Sequence, residues 1–116
     1  MEYLQLFYDR RGQPIDRTEA FDLMANPAYR RVAQTELRDG TWISTVWLGL
    51  DHSFGSGPPL IFETMVFANA HEYGEEWDMR RYATHDEAVQ GHNEMVKTWR
   101  KKRRIEILKS VFRRNN

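Results

Sequence analysis

The chain has no cysteine. That excludes a disulfide framework, a thiolate metal site and a cysteine nucleophile, so the fold must be held by packing alone, as suits a reducing cytoplasm. Long apolar runs are missing too. No stretch approaches the roughly 18 apolar residues of a membrane helix, and the opening MEYLQLFYDRRGQP lacks the basic-then-apolar order of a secretion signal. The expectation is a cytoplasmic protein that neither carries such a signal nor spans a membrane. Internal repeats are absent, and the 116 residues are few enough for one domain with one core, which normally holds up to about 200 residues.

Net charge is also absent: 17 basic residues balance 17 acidic ones. The balance conceals a separation. From Lys97 onward there are nine basic residues against Glu106 alone, a net +8, while the other 96 residues carry eight basic and sixteen acidic, a net −8. Such asymmetry points to a basic tail that meets either an anionic partner or the acidic body of its own chain.

What is present in quantity is β-rich apolar sequence at residues 41–67, two runs joined by a Gly/Pro loop. Before it, residues 3–8 alternate and read as a strand that breaks at Asp9–Pro14. Asp16, three residues ahead of Glu19, caps a short helix through Phe21, Leu23 and Met24 that Asn26-Pro27 stops. Residues 29–37 alternate as a second strand, and Asp39-Gly40 predicts a two-residue type I′ turn into residues 42–50, a central strand apolar on both faces. After the loop at 51–59 the strand at 60–67 starts beyond Pro59, which cannot donate to a ladder. Residues 68–76 read as a loop and 77–83 as a charged edge strand.

Thr84 and Glu87 form a capping box ahead of a long helix. Its stripe of Ala88, His92, Met95, Val96 and Trp99 should pack on the sheet, with Gly91 marking a close approach. A second stripe, Ile105, Leu108, Val111 and Phe112, begins half a turn out of phase, since nine steps of about 100° separate Leu108 from Trp99. The predicted architecture is α+β: a mostly antiparallel meander of four to five strands, a short N-terminal helix, and a long C-terminal helix on one face. Residues 1–96 would form the domain and 97–116 a basic amphipathic helical extension.

The segment WLGLDHSFGSGPPLIFETMVF, with RYATHDEAVQGHNEMV downstream, resembles an uncharacterised family of small proteins common in bacteriophages and prophage-bearing bacteria. The likeness covers residues 31–96 and implies a phage setting in a host cell and a single-domain shape. It implies no catalytic residue, and the tail after Lys97 departs from the family pattern.

Asp51 and His52 beside the Gly-rich loop are the residues best placed for chemistry, because a carboxylate can orient an imidazole that titrates near neutrality. Neighbours on an extended segment point to opposite sides, however, and no motif supplies a nucleophile; Asp51 as a turn cap and His52 as a packed residue is the simpler reading. The loop lacks the lysine and following helix of a phosphate cradle. Glu63 within an apolar strand needs a partner such as Arg81 or a place on the wetter face near the rim, or else contacts a ligand. His85 and His92, two turns apart, cannot share a metal ion, and no cysteine is available, so neither metal nor cofactor is expected.

Three functions follow. The leading expectation is a non-enzymatic accessory protein that binds a host or phage protein, through Trp47, Asp51, His52, Phe54 and Glu63 or the amphipathic tail, with the uncovered sheet face open to burial in a homodimer. The second is a nucleic-acid-binding module using Lys97, Arg100, Lys101, Lys102, Arg103 and Arg104. The third is a small enzyme built on Asp51, His52 and Glu63.

Overall fold

The chain is described from a computed structural model over residues 5–69 and 75–115. Its elements run α1 (Arg17–Met24), α2 (Pro27–Arg30), β1 (Arg31–Glu36), β2 (Trp42–Trp47), β3 (Phe62–Phe67), β4 (Glu76–Tyr82) and α3 (His85–Arg114). The four strands form one antiparallel sheet in the order β1-β2-β3-β4, a plain meander, so the α+β architecture is as the sequence predicts. The further strand expected at residues 3–8 is reduced to isolated bridges, Phe7 to Leu50 and Tyr8 to Pro14; Tyr3 and Leu4 lie outside the described residues.

Side chains alternate between two unlike faces. Ile43, Thr45 and Trp47 of β2, with Phe62, Thr64 and Val66 of β3, are buried toward α3, and the helix meets all four strands. The covered face is shared along its length. At one end the N-terminal hairpin, α1 and α2 bring Ile15, Ala20 and Tyr29 against Trp47, Phe62 and Tyr82; at the other Met95, Val96 and Trp99 pack on Leu37, Ile43 and Val66. The opposite face carries Trp42, Val46, Met65 and Met79, and no described helix lies on it.

Local chemistry explains the boundaries. Asp16 accepts from the Glu19 N–H at the start of α1, and Asn26 then caps the four-residue α2, an element the sequence reading did not separate from β1. The β1–β2 connection is not type I′. Gly40 N–H bonds Leu37 C=O and Leu37 N–H bonds Thr41 C=O, with positive φ at Gly40 but not at Asp39, which is a type I turn followed by a glycine bulge. Just past the end of β2, Gly49 has φ +78°, a left-handed conformation that favours glycine where the strand leaves the sheet. The Thr84 hydroxyl accepts from the Glu87 N–H as expected, though it donates in return to the Glu87 carboxylate.

The 30 residues of α3 make a rod of about 45 Å. Packing on the body continues past the boundary expected at Val96: Trp99 stacks on Trp77 with centroids 5.6 Å apart and donates to Asp78, and Arg103 pairs with Asp39 in the β1–β2 turn at 2.6 Å. Beyond Arg103 the helix projects, and the molecule measures 69 × 28 × 22 Å.

Candidate functional site

Of the residues expected to form a contact surface around the Gly/Pro loop, Trp47 and Glu63 are buried. Trp47 is 1% exposed, donates its indole N–H to Tyr8 C=O and meets Tyr29 edge-on, so it belongs to the core. The correction follows from strand parity, because β2 turns its odd positions toward the helix. Glu63 points to the uncovered face instead, 8% exposed, and accepts from Arg81 Nε at 2.9 Å across the β3–β4 ladder.

Asp51 staples the loop. Its carboxylate accepts from Ser53 N–H, Ser53 Oγ and Leu60 N–H. Burial pushes its carboxyl up, but these hydrogen bonds outweigh burial and hold it below the ordinary carboxylate range. His52 places Nδ1 2.8 Å from Leu50 C=O and its ring edge-on to Phe54. Among the described residues no hydrogen bond joins Asp51, His52 and Glu63 to one another. What the loop does present is Phe54, 89% exposed and with φ +54°. A non-glycine residue in that region costs about 1–2 kcal/mol.

His92 is a satisfied core residue. Nε2 lies 2.8 Å from Thr35 Oγ1 and Nδ1 2.7 Å from Thr45 Oγ1; Thr45 meets Thr64, and Thr64 accepts from the Tyr82 hydroxyl. Burial lowers the His92 pKa, since a charged imidazole would lose its hydration here. His85 instead takes Arg10 Nη2 at 2.8 Å, fastening the N-terminal hairpin to the start of α3.

The second stripe of α3 is where apolar surface meets solvent. Leu108 is 60% and Phe112 71% exposed, with Ile105, Ile107 and Val111 beside them. At about 100° per residue Ile105, Leu108, Val111 and Phe112 fall out of phase with Ala88, His92, Met95 and Trp99, and Ile107 lies at the flank, where Ile107 and Leu108 border a cleft beside the β1–β2 hairpin.

The basic cluster is divided. Arg103 bonds Asp39 and lies over Trp77, and Lys102 lies over Trp99. Partial burial raises the Asp39 carboxyl, but hydrogen bonds from Arg103 and Thr41 outweigh it and leave its pKa lowered. Lys97, Arg100, Lys101 and Arg104 are exposed and have no acidic partner among the described residues. Sequence reasoning missed the cleft that Arg100 and Arg104 share with Leu37 and Arg38 of the β1–β2 hairpin. The Asp-Gly turn was visible, but nothing local shows that α3 passes beside it.

No helix among the described residues is long and apolar enough to cross a membrane. No family model, curated protein or solved structure matches the chain.

Proposed function

We propose that this is a non-enzymatic accessory protein that works by binding another protein, with the projecting end of α3 as its handle. The observation that carries the reading is the stripe Ile105, Leu108, Val111 and Phe112, which is helical, apolar, exposed and out of phase with the stripe that packs on the sheet. Water-exposed leucine and phenylalanine at i, i+4 spacing is what a helix-in-groove contact uses. The proposed setting is phage-type, in the cytoplasm of a bacterial host, and rests on the resemblance of residues 47–67. The uncovered sheet face, with Trp42, Val46 and Met65, is the surface offered to a second copy.

The test is a photo-crosslinking amino acid at position 112, with one at Thr18 on α1 as the control, in extract of a bacterial host. The handle predicts a discrete protein adduct at 112 that unlabelled wild-type chain competes away and the double variant Leu108→Glu, Phe112→Glu does not. No protein adduct, or equal competition by the double variant, refutes it.

A second reading is supported by the exposed cations Lys97, Arg100, Lys101 and Arg104, which have no acidic partner among the described residues. Phosphates need only positive charge, and a nucleic-acid module would lose its binding steeply with salt. Adducts at 112 that are nucleic acid rather than protein favour this reading.

A further inference from the structure

The cleft between the β1–β2 hairpin and α3 combines an apolar strip with a cationic rim. It holds about 720 Å3, and its lining includes Leu37, Ile107 and Leu108 as an apolar strip and Arg38, Arg100 and Arg104 as a cationic rim. Arg103 also borders it but is consumed by Asp39 and the Trp77 ring. The remaining three arginines face one acidic lining residue, Glu36, so the cleft carries a net positive charge of two. None of the three has an acceptor among the described residues.

Charge decides the class of occupant. A second copy of the tail would bring one basic helix onto another. Phosphates would satisfy the guanidiniums but leave Leu37, Ile107 and Leu108 wet. A carboxylate-bearing segment with apolar side chains satisfies both, because guanidinium forks hold carboxylates in paired hydrogen bonds while the aliphatic wall takes up leucine-like groups. We propose that this cleft binds an acidic amphipathic segment of a partner protein, with glutamate or aspartate on Arg38, Arg100 and Arg104 and apolar side chains on Leu37, Ile107 and Leu108. The inference rests on the handle reading above and names the chemistry of what the handle meets.

The experiment measures fluorescence anisotropy of the full chain with four labelled probes: a short helix with leucine on one face and glutamate on the other, the same helix with serine for leucine, the same with glutamine for glutamate, and duplex DNA. The leucine–glutamate helix should bind best. Arg100→Gln with Arg104→Gln should weaken it by about tenfold or more, and Arg17→Gln on α1, outside both the cleft lining and the handle, should leave it within about twofold. These exposed substitutions are checked for unchanged circular dichroism. Equal binding of the serine helix means plain attraction between charges and overturns the proposal. So does tighter binding of DNA that is lost in the double arginine variant, or no binding at all. The crosslink at position 112 separates the two readings: a competed protein adduct with no peptide binding leaves the handle standing and removes the cleft.

Discussion

A methyl group built on Gly91 would sit 2.1 Å from Tyr82 Cε1 and 2.4 Å from its hydroxyl oxygen. The glycine is therefore a point of close approach between α3 and the end of β4. At an exposed helical site Gly→Ala adds up to about 1 kcal/mol of stability. Here Gly91→Ala must push the helix off the ring or turn Tyr82 out of its bond to Thr64, and the expected result is a loss of about 1–3 kcal/mol. Urea denaturation reads it directly, and a gain in stability would show that the helix approaches less closely than described.

His92 gives the fold a dependence on pH. Its imidazole titrates near 6.5 when unfolded and lower when folded, so the folded state binds fewer protons. Its contribution is therefore whole above about pH 6.5 and is lost as pH falls through that value toward the folded pKa. Thermal unfolding midpoints should fall between pH 7 and pH 5, and His92→Gln should flatten that slope. Asp39 and Asp51, held low from 3.8, begin to lose their contributions only at a pH well below that at which His92 begins to lose its own. With Tyr82 donating to Thr64, the hydroxyl protons run through Thr45 to Nδ1 and leave Nε2–H to donate to Thr35. Nitrogen-15 chemical shifts should report that tautomer.

Glu63 and Arg81 sit directly opposite each other on β3 and β4. Arg81→Leu strands a carboxylate in a mostly buried position and should cost about 2–3 kcal/mol, whereas replacing both residues with Met and Leu should lie within about 1 kcal/mol of wild type. A double-mutant cycle decides; additive single losses would mean that the pair does not couple.

The helix can be cut in one place and not in another. A chain ending at Arg104 keeps the Trp99–Trp77 stack and the Arg103–Asp39 pair and should match the full chain's stability within about 0.5 kcal/mol. A chain ending at Val96 loses both and should be about 2–4 kcal/mol less stable. Equal melting of the two truncations would place the domain boundary back at Val96.

Much of this architecture was legible because it is local. Caps at Asp16 and Thr84, period-2 strands, and a helix stripe that drifts out of phase are all written within a few residues, and so was the need for Glu63 to find Arg81. What failed depends on parity and on distance in sequence. Trp47 read as a contact residue because its strand is apolar on both sides, and only the placement of α3 shows which side is core. The turn at Asp39 read as type I′ from its Asp-Gly pair, but it is a three-residue loop whose Asp39 side chain serves Arg103. That pair spans 64 positions, and with it the arginine cleft was out of reach of any local pattern.

The turn at Asp39 and the loop bearing Phe54 leave β2 at opposite ends, and α3 runs past the first of them. Among the described residues the strongly exposed Phe54 and Phe112 thus lie toward opposite ends of a molecule 69 Å long. Much of that length is one unbroken helix of 30 residues, so shortening α3 would move its exposed tip toward the body without altering the sheet.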